Sequence, residues 1–295
     1  FYNLLSSIIR ALGDSKTPLV FLVLSSVLNI GLDLLLVAVI PLGVAGAAYA
    51  TVASQAVSGI LCFIYVWKKY EIVRFGKQER KISLKSIRQL LSMGVPMGLQ
   101  FSITAIGTMI VQSSLNLLGS MYIASYSATS KIQNIVMQVY MALGAALATY
   151  AGQNYGAGKI GRIKKGLNVS IGVTAVYSVV IMVVAYFWLP SLVKVFVADP
   201  TGELRAIAEK MFHISLWFYF PLGLIFLYRN TLQGIGNGLV PMLGGVFELL
   251  ARALTVILLF TGICICDPAA WVSALIPLIP YYYWYIRKLT VGEEK

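Results

Sequence analysis

Pro18-Leu-Val-Phe-Leu-Val-Leu-Ser-Ser-Val-Leu-Asn-Ile-Gly-Leu-Asp-Leu-Leu-Leu-Val-Ala-Val-Ile40 runs from one proline to the next break with a single ionisable side chain, Asp33. As a helix rising about 1.5 Å per residue, this stretch is long enough to cross the hydrocarbon core of a bilayer. Val44–Trp67, Leu90–Leu118, Met121–Ala151, Gly166–Leu189, Leu204–Gln233, Leu239–Gly262 and Pro268–Ile286 are of the same kind, and Phe1–Ile9 reads as the end of another. A membrane barrel is built from alternating segments of about ten residues, whereas these runs are continuous and about twice that length. The expected class is therefore an all-α polytopic membrane protein with eight complete spans and the end of a ninth. Composition agrees: 59% of the 295 residues are hydrophobic and 12% charged, with a mean hydropathy of +0.82, too little charge to cover a soluble domain.

Charge gives the orientation. Between Lys68 and Arg88 the chain carries Lys68, Lys69, Arg74, Lys77, Arg80, Lys81, Lys85 and Arg88 against Glu71 and Glu79, which the positive-inside rule places in the cytoplasm. Counting spans from there puts Arg10, Lys16, Lys159, Arg162, Lys164, Lys165, Arg287 and Lys288 on the same side. The opposite connections, near Pro41, Gly119, Pro190–Glu203 and Gly262–Asp267, hold only Lys194, Asp199, Glu203 and Asp267. The net charge of +12 is then a bias toward the inner leaflet of a bacterial-type inner membrane, and no nucleic-acid partner is needed to explain it.

The chain also repeats itself. Arg10-Ala-Leu-Gly-Asp-Ser-Lys-Thr-Pro18 is echoed by Gln233-Gly-Ile-Gly-Asn-Gly-Leu-Val-Pro241. Each copy is followed by a long apolar segment, a break, and a second apolar segment ending in Lys68-Lys69 or Arg287-Lys288. Repeats of several spans are a signature of secondary transporters. The second copy begins near Ser86, about 150 residues before Gly236, so by symmetry about 140 residues, or four helices, are expected ahead of Phe1 in the whole protein. On this reading residues 1–67 are the remainder of one six-helix lobe, 68–89 a basic inter-lobe loop, and 90–295 the second lobe of a twelve-helix, two-lobe transporter.

Arg10-Ala-Leu-Gly-Asp-Ser-Lys-Thr-Pro, Gly152-Gln-Asn-Tyr-Gly-Ala-Gly158, Tyr228-Arg-Asn-Thr-Leu-Gln-Gly-Ile-Gly236 and Glu248-Leu-Leu-Ala-Arg252 resemble, in this order, the multidrug and toxic compound extrusion (MATE) transporters over essentially the whole chain. The resemblance implies a V-shaped antiporter exporting organic cations against an inward sodium or proton gradient, with no other cofactor. Two features depart from the family. Some members carry an acidic residue in the helix equivalent to Leu90–Leu118, where this chain has Thr104 nearby; others use an Asp in a first helix that would lie upstream.

Polar residues inside the spans are the candidate machinery. Gln100, Thr104, Thr108, Gln112 and Asn116 recur every fourth residue, and the next span adds Ser127, Ser130, Lys131, Asn134 and Gln138. Such stripes either bond helix to helix or line a wetted substrate pathway, and their length favours the pathway. Glu248 lies near the middle of its span with Arg252 one turn on: either a structural pair or a carboxylate for ion coupling or cation binding, tuned by Arg252. Asn29 matches Arg252 through the repeat offset. Asp33, one turn from Asn29, is either interfacial or part of the ion-coupling site. Arg229 and Lys131 read as snorkelling, His213 as interfacial, Cys264 and Cys266 as free thiols in an outer loop, and Pro221 as a mid-span hinge.

No nucleophile elbow, Walker loop, zinc-binding pair of histidines or Cys-x-x-Cys is present, so no enzyme is expected. The expected partners are small-molecule organic cations and the lipid bilayer, with the protein acting as a monomer. A flippase for lipid-linked oligosaccharide or peptidoglycan precursor is the alternative within transport. A non-transporting membrane scaffold or receptor is the alternative outside it. Polyanionic cargo calls for several Arg or Lys in the cavity, whereas the candidates here are mostly neutral amides.

Overall fold

The computed structural model describes residues 2–74, 83–196 and 202–293. Lys77, Glu79, Arg80, Lys81 and Asp199 lie outside the described residues, as does the side chain of Lys194. Two compact units divide the chain, Phe1–Leu84 and Lys85–Lys295.

The first unit contains α1 (Tyr2–Ala11), α2 (Lys16–Asp33) and α3 (Gly43–Lys69). Beyond Asp33 the α2 spiral widens into a π-helical segment, Leu34–Val39, closed by the Ile40 amide donating to the Leu35 carbonyl. Its small core is Leu5, Ile9, Cys62 and Val66. Leu19, Val20, Val27, Ile30 and Leu34 are all exposed, the pattern of a helix whose solvent is lipid.

The second unit contains α4 (Leu84–Leu118), α5 (Ser120–Gly156), α6 (Ile160–Phe196), α7 (Glu203–Leu216), α8 (Tyr219–Gly234), α9 (Leu239–Val256) and α10 (Leu259–Glu293). Tyr140, Leu167, Phe212, Tyr219, Leu232, Leu278 and Tyr282, contributed by α5 to α8 and α10, form its main core. Among the described residues, seven helical segments are long and apolar enough to span a membrane, and the pair α7–α8 makes an eighth. The chain is a multi-pass membrane protein.

Two span boundaries differ from the sequence reading. The stretch Leu204–Gln233 is not one helix, because α7 and α8 meet at a bend of 53°. The bend lies at Trp217–Phe218, and Pro221 sits in the first turn of α8, where a missing N–H breaks no helical bond. Pro221 therefore lies in the first turn of a new helix, just past a bend at mid-span, rather than inside one continuous helix. In the last hairpin, the turn comes at Ile257–Leu258 rather than at Gly262–Asp267. Gly262 permits it, since a Cβ there would lie 1.7 Å from the Thr255 carbonyl oxygen. Cys264, Cys266 and Asp267 consequently lie inside α10, with both thiols buried.

The repeated motif is the same turn built twice. Gly13 and Gly236 have φ of 92° and 90°, the left-handed region that glycine enters without steric cost. The Gly13 amide donates to the Arg10 carbonyl (3.0 Å) and the Asp14 amide to Ile9 (3.2 Å). At the second site, Gly236 donates to Gln233 (3.1 Å) and Asn237 to Leu232 (2.9 Å). Both are Schellman endings, which satisfy the last carbonyls of α1 and α8.

Candidate functional site

Glu248 is the tenth residue of the eighteen-residue α9 and is 5% exposed. An isolated carboxylate at that depth is costly, and here it is held between two guanidinium groups. One oxygen accepts from Nη2 of Arg229 on α8, and the other lies 3.7 Å from Nη1 of Arg252, one turn along α9. Arg252 turns its remaining nitrogens to Asp267 on α10, with Nη2 at 3.2 Å and Nε at 3.3 Å. Two positive and two negative groups thus form a chain from α8 through α9 to α10, within one unit.

Gln100 extends this chain onto α4. With its amide oxygen turned toward Arg229 it accepts from both Nε and Nη1 at 3.1 Å, and it lies 3.2 Å from the Gln233 amide. The close approach of α4 to α9 is eased because Gly245 lies under Gln100 and Gly107 under Arg252, where a Cβ would come within 3.2 Å and 3.3 Å of those side chains. The Nη1 atom of Arg252 is buried and makes no hydrogen bond among the described residues.

Arg229 and Asp267 are the residues that sequence reading placed elsewhere. Arg229 does not reach for headgroups; its guanidinium pairs with Glu248 on α9. Asp267 is not in a loop, because the early hairpin turn carries it two turns into α10, opposite Arg252. Neither signal is local; the only sequence hint was an unpaired charge inside an apolar run.

The stripe on α4 splits. Steps of four residues advance about 40° around a helix, so five such residues sweep almost half its circumference. Gln100 is buried in the charge cluster, and Thr104 is half-buried with its hydroxyl donating to the Gln100 backbone carbonyl. Thr108, Gln112 and Asn116 are exposed, and Gln112 donates to Asn116 at 3.3 Å. On α5, Lys131, Asn134 and Gln138 are exposed and Ser130 is half-buried. Elsewhere on α5, the Ser125 and Thr129 hydroxyls reach the Leu204 and Ala208 carbonyls of α7, and the Tyr140 hydroxyl bonds to Ser178 of α6 at 2.7 Å.

In the first unit, Asn29 points its amide at Thr51 Oγ1 on α3 at the outer limit of bonding, 3.5 Å. Asp33 is half-buried, and its Oδ1 has no partner among the described residues. It lies at the change from α to π winding, past the middle of the Lys16–Val39 span. Away from the charge cluster, a cleft of about 370 Å³ is walled by Met182, Tyr186, Phe187, Leu216 and Trp217 around His213.

The family model MatE matches residues 96–258, more than half of the chain. The chain belongs to the MatE family. The match runs from Pro96 on α4 past α9 and takes in Gln100, Arg229, Glu248 and Arg252, while Asp267 lies beyond it. The probable multidrug resistance protein YoeA of Bacillus subtilis (strain 168) is 26% identical over 302 residues, covering 97% of this MatE chain and 65% of that protein. The probable multidrug resistance protein YpnP of the same organism is 32% identical over 239 residues, covering 80% and 52%. The chain thus spans between about half and two thirds of the length of these relatives. A crystal structure of MATE in the bent conformation superposes with a TM-score of 0.90 at 20% identity, covering 100% of this chain and 67% of that one, which shows the fold.

Proposed function

We propose that this MatE chain belongs to a secondary transporter that exports small organic cations by alternating access, driven by an inward ion gradient, with its basic loops in the cytoplasm of a bacterial-type inner membrane. It works as a monomer, with no cofactor beyond the coupling ion. The observation that carries the reading is the buried chain Arg229–Glu248–Arg252–Asp267 at mid-span in a fold shared with transporters. Charges at that depth are retained chiefly where they bind or relay ions. The arginines are committed to carboxylates, which leaves little positive charge for polyanionic cargo and favours cations over lipid-linked pyrophosphates.

Both oxygens of Glu248 face guanidinium groups, so a sodium ion would have to displace Arg229 or Arg252. A proton needs no such space. Protonation would leave the two arginines facing each other with one fewer counter-charge, loosening α8 from α9. Glu248 is thus the proposed proton-coupling residue, with Arg252 as its tuning partner; Asp33 and Asn29 form the second candidate site, on α2. The exposed amides and hydroxyls Thr108, Gln112, Asn116, Asn134 and Gln138, with Lys131, are polar groups that lipid would not favour and are proposed to line the wetted substrate pathway, with Gln100, Thr104 and Ser130 deeper along the same helices. Efflux of ethidium from cells under sodium or proton clamps tests this with Glu248→Gln. Efflux is expected to fall at least tenfold and lose its dependence on the proton gradient; unaltered efflux removes Glu248 from coupling.

A further inference from the structure

Away from the charge cluster, a cavity of about 350 Å³ opens between the basic ends of α6 and α10, walled by Lys164, Asn168, Tyr282, Tyr283, Ile286 and Arg287. Lys164 and Asn168 stand one turn apart on α6, and Tyr283 and Arg287 one turn apart on α10, so two helices present facing polar pairs. Lys164 Nζ donates to Thr290 Oγ1 at 3.0 Å, which holds the ammonium at the cavity's edge. No carboxylate among the described residues pairs with Lys164 or Arg287. Tyr282 is one of the residues lining the cavity and is 2% exposed, and its hydroxyl is enclosed with no hydrogen-bond partner among the described residues. A buried donor without a partner costs free energy that a ligand oxygen would recover.

We propose that this cavity binds the phosphodiester of an anionic phospholipid from the leaflet on the basic side of the membrane. Lys164 and Arg287 supply the charge, and Asn168 and Tyr282 supply neutral donors. A soluble anion would need only these groups, but the surroundings continue as a lipid would require. Along α6, three turns on from Asn168 and about 20° from its line, the exposed Val179 gives an apolar surface for an acyl chain running toward the membrane centre. Beside the cavity, the exposed ring of Trp284 lies under the Lys288 ammonium at 5.4 Å, an aromatic and a basic group at the level where headgroups sit. Arg287 and Lys288 also border an adjoining cavity of about 390 Å³, which leaves room for the remainder of a headgroup.

The test is a titration of the purified, delipidated full chain with phosphatidylglycerol, phosphatidylcholine and inorganic phosphate, with bound lipid counted by native mass spectrometry. Phosphatidylglycerol is expected to bind selectively, and about thirtyfold more weakly to a Lys164→Gln, Arg287→Gln double variant. Tyr282→Phe removes only the partnerless hydroxyl; it is expected to keep the melting temperature measured in phosphatidylcholine and to weaken phosphatidylglycerol binding about tenfold. Equal retention of phosphatidylcholine, or wild-type binding by the double variant, overturns the site. Displacement of the lipid by millimolar inorganic phosphate overturns the lipid and leaves a soluble-anion site.

Discussion

The turn at Gly13 and the turn at Gly236 match bond for bond, yet they carry different electrical loads. In each, the residue after the glycine caps the next helix: Asp14 Oδ1 accepts from the Thr17 amide at 3.0 Å, and Asn237 Oδ1 from the Val240 amide at 3.3 Å. Around Asp14 the carboxylate also takes the Thr17 hydroxyl (2.7 Å), the Tyr70 hydroxyl (3.0 Å) and the Lys69 ammonium (3.3 Å). Asn237 instead donates its amide to the Tyr281 hydroxyl at 2.7 Å. The first unit thus keeps an ion pair at a helix start beside water, while the second keeps a neutral cap there and buries its charges at mid-span. Backbone geometry is set by a glycine and a short-range polar cap. The charge at the cap is then free to differ, because either an acid or an amide can accept from the next helix's amide.

That contrast breaks most visibly at the buried end. Arg229→Ala strips one partner from Glu248, and removing one member of a buried pair typically costs about 3–5 kcal/mol. Thermal unfolding in detergent should show a large fall, and a Tm within error of wild type would mean that the cluster is hydrated rather than buried. The two turns themselves should respond alike: Gly13→Ala and Gly236→Ala each force a side chain into left-handed geometry, at about 1–2 kcal/mol apiece. Markedly unequal losses of Tm would end the equivalence of the two copies.

Smaller still is Asp14→Asn, which gives the first turn the load of the second. Hydrogen bonds from Thr17, with help from Tyr70 and Lys69, hold the Asp14 carboxyl well below its ordinary value of 3.8. A depressed carboxylate stabilises the fold above its unfolded value and loses that contribution as pH falls, so the effect belongs below about pH 4. The Tm of the wild type should drop in that range more than the Tm of Asp14→Asn, and parallel curves would remove Asp14 as the cause. The smallest change is expected from Asn237→Asp, since the Tyr281 hydroxyl can donate where it now accepts; a loss larger than that of Gly236→Ala would show that the cap requires an amide.

Much of the molecule was legible in the residues themselves. The spans and the repeated turn follow from long apolar runs and a glycine five residues before a proline. Glu248 and Arg252 were visible as a pair because they lie one turn apart on one helix. Arg229, Asp267 and the burial of Gln100 were not visible, because they depend on contacts between helices and, for Asp267, on a hairpin turn at Ile257–Leu258. The turn came only a few residues before its expected place, yet that moved Asp267 from a loop into a helix facing Arg252.

By itself the sequence determined what must lie in lipid, since helix length and the cost of exposing backbone polar groups leave the chain no other solvent-compatible form. It likewise determined where the repeated turns at Gly13 and Gly236 fall, because only glycine enters their left-handed geometry cheaply. The tertiary structure alone decided which charges meet. Arg229, Glu248, Arg252 and Asp267 come from three helices whose mutual rotation is set by packing, and a buried carboxylate persists only where that packing brings a guanidinium within reach.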